Sequence, residues 1–207
     1  EDTLHPAVNF LFFSSNKIYL GGKIEKIRMP THYDFIKYRK GPKEVKSIFK
    51  KMGWTKVIAF QTRNPLHKAH VEMTLQAMKS IDANLLLHPA IGITKPGDIN
   101  HFTRVRCYEY VIKKYPDDSV FLALLPLAMR MGGPREALLH AVIRKNFGCS
   151  HFIIGRDHAG PGLNSGGESF YEPYESQSLV EQYAEEIGIK IIPFKLMVYV
   201  PKNKKYK

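Results

Sequence analysis

From residue 56 to residue 193 short apolar runs alternate with stretches of helical periodicity, and that alternation constrains the fold more than any other feature of the chain. The pattern predicts strands at 56–60, 84–89, 119–125, 151–154 and 189–193, with helices at about 65–80, 103–115, 134–147 and 176–187 between them. Strands separated by helices cannot close as hairpins. They must lie parallel, joined by right-handed crossovers, in a doubly wound α/β sheet. Ligands of such sheets bind beyond the C-terminal ends of the strands, so the loops that follow strands are the places to look for chemistry.

Upstream the pattern differs. The stretch 8–28 (VNFLFFSSNKIYLGGKIEKIR) has two β-rich runs around Ser14, Ser15 and Asn16, followed by Gly21 and Gly22, and reads as a small β-rich segment with a hairpin and bulge. Residues 29–43 read as a connector, and 42–51 as a short basic helix stopped by Gly53.

A chain of 207 residues with 44% hydrophobic and 12% aromatic content can bury a full-sized core. Its apolar runs fall far short of the roughly 20 residues needed to cross a bilayer, so no membrane role is expected. The first residue is Glu1 rather than Met, which leaves targeting and compartment open. Cys107 and Cys149 lack metal-finger or redox spacing and read as buried thiols. The net charge of +12 concentrates in 37–56 and 202–207, a solvated helix face and a frayed tail. No RNP-type aromatic motif or finger accompanies it, which argues against a nucleic-acid partner.

Two loops after strands carry anion-binding chemistry. In QTRNPLHKAH at 61–70, Asn64 suits an N-cap and Pro65 the first helical position. A helix N-terminus there would turn free N–H groups and the positive end of the macrodipole towards the crevice. Arg63 adds a guanidinium, and His67 and His70, three apart, share a face of the first turns. A single histidine at a helix start is more commonly a partly exposed structural residue; two beside an arginine behind a strand favour an oxyanion site. The spacing does not match the HExxH of zinc proteases, and neither a P-loop nor a GxGxxG fingerprint occurs. The second loop, GRDHAGPGLNSGG at 155–167, has five glycines with Arg156 and His158 and reads either as a mobile surface loop or as a close backbone approach to a ligand. A third stretch, AMRMGGPRE at 128–136, reads first as structural, with Arg130 or Arg135 as possible sources of field.

QTRNPLHKAH, MRMGGPRE and GRDHAGPG, in that order, resemble the ATP sulfurylases (sulfate adenylyltransferases). PTHYDF at 30–35, GITKPGDI at 92–99, RVRCYE at 104–109, FYEPYESQ at 170–177 and FKLMVYVP at 194–201 extend the likeness over nearly the whole chain. The resemblance implies a Rossmann-like catalytic domain of the nucleotidyltransferase type at 31–207, preceded at 1–30 by the tail of a PUA-like β domain. It implies that ATP and sulfate give adenosine 5′-phosphosulfate and pyrophosphate, with Mg2+ carried by ATP, and that the full-length protein is a homo-oligomer. By motif, Gln61 and Arg63 would hold sulfate together with the backbone of Ala159, and Thr62, Arg63 and Asn64 would form the catalytic trio. ATP would touch the same 61–64 stretch. His67 and His70 would grip the triphosphate and stabilise the leaving pyrophosphate, while Gly155, Arg156, Asp157 and His158 would form the second nucleotide-binding stretch. The backbone of Met197 would meet adenine, and Phe194 would shift when nucleotide binds. The rival readings are an adenylyltransferase for another acceptor, a non-catalytic nucleotide-binding fragment, and a nucleic-acid-binding protein.

Overall fold

The computed structural model describes residues 2–28, 30–92, 97–203 and 205–206. Five strands, β1 (Val57–Phe60), β2 (Asn84–Leu87), β3 (Val120–Leu122), β4 (His151–Ile154) and β5 (Lys190–Pro193), form one wholly parallel sheet in the order β3-β2-β1-β4-β5. β1 is apolar and buried throughout, and β2 and β4 are so after their first residue, because helices cover both faces of the sheet there. Val57 and Ala59 of β1 and Phe152 and Ile154 of β4 face one core, shared with α2 (Pro42–Lys51), α5 (Gly133–Asn146) and α6 (Glu175–Gln182). Ile58, Phe60 and Ile153 face the other, shared with α3 (Lys68–Ile81) and α4 (His101–Val111). The period-2 alternation of side chains thus splits one apolar run between two cores. This is a Rossmann-like α/β sheet with helices on both faces, as the alternation of runs predicts.

The sequence places its switch point between β1 and β4. From β1 the chain moves outward through β2 to β3, then returns across the sheet to β4 and on to β5. Helices on opposite faces diverge there and leave a crevice above the C-terminal ends of β1 and β4.

Three expectations need correction. The stretch 8–28 is not β-rich: α1 (Pro6–Phe13) covers its start, and no strand occurs among its described residues. His5 caps α1 by accepting the Ala7 N–H at its ring nitrogen, and Pro6 occupies the first turn, so local start signals override the β propensity of NFLFF. The helix expected from 65 begins at Lys68, with His67 and not Asn64 in the capping position. The Asn64 carbonyl is engaged by the hydroxyls of Tyr108 and Thr62, both at 2.9 Å, and so is not given to a first helical turn. The basic tail is not wholly frayed, since β6 (Tyr199–Val200) pairs antiparallel with β7 (Lys205–Tyr206). Of the cysteines, Cys149 is buried, which pushes its thiol up to about 12, while Cys107 is half-buried; both are free. Helix α7 (Ala184–Ile187) completes the fold. No helix among the described residues is long and apolar enough to cross a membrane.

Candidate active site

The loop after β1 is held by its neighbours more than by itself. Thr62 Oγ1 donates to the Asn64 carbonyl and accepts the Asn64 N–H at 3.0 Å, closing a small turn. Buried Arg104 of α4 donates from one guanidinium nitrogen to the carbonyls of Arg63 (2.9 Å) and Ala90 (2.8 Å). Tyr108, one turn further along α4, donates to the Asn64 carbonyl; burial pushes its hydroxyl up to about 12, so it stays a donor. These ties leave the Arg63 side chain projecting, with its guanidinium paired to the Asp98 carboxylate. Asp98 belongs to the GITKPGDI stretch, of which residues 93–96 lie outside the described residues.

At the start of α3 the His67 and His70 rings pack with centroids 3.9 Å apart, and His70 also leans on Phe60 at 5.8 Å. Burial, helped by the neighbouring His67, lowers His70 from its ordinary value to about 4. Its Nδ1 is buried without a partner. A neutral imidazole with an unused nitrogen therefore stands at the N-terminal end of a 14-residue helix.

The loop after β4 is built on unusual backbone. Asp157 (φ 53°) and Ala159 (φ 56°) both adopt the left-handed region, where non-glycine residues are uncommon and costly. The loop is over-determined from outside: Asp157 N–H donates to Pro173 O (2.8 Å), Gly133 N–H to Ala159 O (3.1 Å), and Ser176 Oγ to His158 O (3.1 Å). Gly133 is itself left-handed (φ 53°), and a Cβ there would lie 2.4 Å from the Tyr171 ring. MGGPRE is thus a backbone strut under the second loop, in keeping with its structural reading. Arg156, 44% exposed, pairs with Asp157 at 3.1 Å.

One cavity of about 360 Å³ unites these parts. Gln61, Thr62, Arg63, Asn64, His67 and His70 line it from the β1 side, and Gly155, Arg156, Asp157, His158 and Ala159 from the β4 side. Phe194 and Met197, just beyond β5, close its remaining wall. Every site residue expected from the sequence borders this one space. Gln177 of α6 fixes that wall by donating to the carbonyls of Ile154 (2.8 Å) and Phe194 (2.9 Å).

Residues 36–207 match the family model described as ATP-sulfurylase. The chain belongs to the ATP-sulfurylase family. It is 58% identical over all of its length to the sulfate adenylyltransferase of Schizosaccharomyces pombe, and 55% identical over 99% of its length to that of Neurospora crassa. It spans 42% and 36% of those relatives, respectively. A solved structure described as a hexameric APS kinase from Thiobacillus denitrificans superposes with a TM-score of 0.70 at 32% identity, over 86% of this chain and 32% of that one.

His140 lies outside every motif quoted above, and the motifs that contain Arg104, Tyr108, Gln177 and Glu136 give no hint of what those side chains hold. Arg104, Tyr108, Gln177 and His140 act by reaching loops distant in sequence, and Glu136 by holding the 130–132 turn just ahead of its own helix. The one hint is on α5, where Glu136, His140 and Arg144 recur every four residues on a helix otherwise rich in Ala and Leu. Lys195 also borders the cavity and adds a cation that sequence reasoning overlooked.

Proposed function

We propose that the protein is a sulfate adenylyltransferase: a sulfate oxygen attacks the α-phosphorus of MgATP in line with the departing pyrophosphate, giving adenosine 5′-phosphosulfate reversibly. The observation that carries this reading is the convergence of Arg63, the His67–His70 pair and Arg156 on one cavity at the switch point of the sheet. Sulfate is anionic at neutral pH, so no general base is required. Two anions must instead be brought together and aligned, which calls for cations and oriented N–H groups. Arg63 and Gln61 from the β1 side, with the Ala159 backbone from the β4 side, receive sulfate. Thr62 and Asn64 keep the loop that presents them in one shape, and the first turn of α3 with His67 and His70 receives the triphosphate and the charge that grows on pyrophosphate. Gly155, Arg156, Asp157 and His158 bind nucleotide from the β4 side, Met197 borders the adenine through its backbone, and Phe194 adjusts as nucleotide enters. Sulfate must displace Asp98 from the Arg63 guanidinium, so that pairing acts as a threshold for sulfate entry.

Among the described residues no group of three or more His, Cys, Asp or Glu side chains converges to hold a metal. Magnesium is taken as part of the nucleotide substrate, neutralising phosphate charge, and no protein ligand is assigned to it. The catalytic domain is assigned to residues 31–207, and residues 1–30 to the tail of a PUA-like domain. A homo-oligomer is the proposed assembly, in line with the hexamer named for the Thiobacillus denitrificans structure.

The test is pyrophosphate release with sulfate varied, on this chain and on a full-length protein containing it. Release should saturate with sulfate, and molybdate should turn ATP into AMP. Release that ignores sulfate but needs an organic phosphate acceptor would replace this reading with another adenylyl transfer, and tight ATP binding by both proteins with no turnover would make it a binding module.

A further inference from the structure

Helix α5 presents Glu136, His140 and Arg144 at four-residue steps, and all three side chains are buried. None borders the cavity, yet two of them reach it through intermediaries. The Glu136 carboxylate accepts backbone N–H groups from Arg130 and Gly132, each at 2.9 Å, and lies 3.5 Å from His140 Nε2. His140, fully shielded from solvent, places Nδ1 3.0 Å from His158 Nε2. Its Nε2 is 3.5 Å from an amide atom of Gln61, whose other amide atom is buried with no partner. His158 and Gln61 both border the cavity, one from each loop.

Only one proton can sit between each pair of these groups, so their orders are linked. If His140 carried its proton on Nδ1, the lone pair on Nε2 would face the Glu136 carboxylate, acceptor against anion. With the proton on Nε2, His140 points a donor at Glu136 and at Gln61, and its Nδ1 accepts the Nε2–H of His158. Burial raises the Glu136 carboxyl, but the His140 bond and the two backbone N–H groups outweigh it and keep it below its ordinary range. Burial keeps His140 itself below its ordinary value, against the pull of Glu136. An ionised carboxylate beside a neutral imidazole selects the second arrangement. Amide oxygen and nitrogen are assigned from their partners; the atom near His140 also lies 3.9 Å from Met129 Sδ, a weak acceptor that counts for less than the His140 N–H, so the Gln61 oxygen belongs on the His140 side.

We infer that Glu136 and His140 are positioning residues that set the hydrogen-bonding sense of both loops: Gln61 offers its NH2 group as a donor for an oxyanion, and His158 offers Nδ1 as an acceptor for a nucleoside hydroxyl or amine. This inference rests on the cavity being the sulfate and nucleotide site. It moves His158 away from phosphate charge. Burial, with His140 and Arg144 nearby, lowers its ring well below its ordinary value, so it is suited to accept a hydrogen bond and not to bind an anion as a cation.

Long-range proton–nitrogen correlation spectra of 15N-histidine-labelled protein at neutral pH test the assignment directly. His140 and His158 should both carry the proton on Nε2. A proton on Nδ1 of either ring, or a doubly protonated ring, would overturn the inference. This readout needs no turnover, so a protein inactive with sulfate but with the expected tautomers would sink the proposed activity and leave the dyad standing. Glu136→Gln, which keeps the shape and removes the charge, should mix the His140 and His158 tautomers and raise KM for sulfate and for ATP about tenfold, with kcat lowered less than threefold. Unchanged tautomers in a folded Glu136→Gln protein, or a fall in kcat with both KM values unmoved, would refute it. Should Glu136→Gln fail to fold, the spectra of the unsubstituted protein still decide.

Discussion

His70→Ala tests the chemistry most sharply, because the structure determines which form of the ring is available. With its value lowered to about 4, roughly one ring in a thousand is protonated at pH 7. Restoring imidazolium at that pH would cost about 4 kcal/mol, from three units at 1.36 kcal/mol each. A neutral ring already donates one hydrogen bond without that cost. His70 is therefore expected to stabilise the departing pyrophosphate as a neutral N–H donor. Losing one oriented donor of this kind raises the barrier by about 3 kcal/mol, a loss in turnover of about two orders of magnitude. His70→Asn keeps a neutral donor and should recover part of that loss. Initial rates of pyrophosphate release with ATP varied at saturating sulfate, followed from pH 5.5 to 8.5, are the assay, and give both kcat and kcat/KM for ATP. The unsubstituted protein should show no fall in kcat/KM attributable to His70 as the pH rises through 6.5. Near-normal turnover by His70→Ala would refute the role. Activity lost on passing pH 6.5, together with an inert His70→Asn, would show that the charged ring is required.

The same lowered value bears on stability. The unfolded chain takes up a proton at His70 near pH 6.5 and the folded chain only near 4, so stability contributed by the neutral ring is complete above 6.5 and falls away as the pH drops from 6.5 to 4. Thermal melts over that window should flatten in His70→Asn relative to the unsubstituted protein, and parallel curves would count against the burial of the ring. Asp98→Asn should free the Arg63 guanidinium and lower KM for sulfate several-fold, read from initial rates; a raised KM would mean that Asp98 orients Arg63 and does not compete for it. Arg104→Met removes both bonds to the 61–64 loop and its anchor and should cost about 2–3 kcal/mol of unfolding free energy in denaturant melts, with KM for ATP and sulfate rising together; a change in KM for one substrate alone would contradict a shared loop. Gly133→Ala drives a Cβ into the Tyr171 ring at a left-handed backbone and should cost about 1–3 kcal/mol, measured in the same way, whereas an unchanged midpoint would show that Tyr171 yields freely.

The sheet was legible because its strands are buried on both faces and their apolar runs survive in the sequence, as in VIAF, NLLL and HFII. The site loops were legible because arginine, histidine and glycine cluster directly behind two of those runs. The start of α3 was not, because the Asn64 carbonyl is claimed by Tyr108, forty-four residues away, and no local capping rule registers that. The helix at 6–13 misled for the opposite reason: its His-Pro start signal is local and short, and the apolar residues behind it look the same in a strand or a helix. Glu136 and His140 stayed hidden because polar residues at helical spacing ordinarily mark a wet face, and here that face is packed against the core.

The adjacency of β1 and β4 has a consequence for how such a site can change. Ile58 pairs with His151 and Ala59 with Phe152 across one rung of the ladder, so the two loops spring from points separated by a single interstrand spacing of about 4.8 Å. Peptide groups hold that gap, and the Ser150 hydroxyl clasps Val57 at its far end. Residues at the tips can be exchanged, and with them the ligand that is recognised, while the span between the two loops stays calibrated by the ladder beneath them.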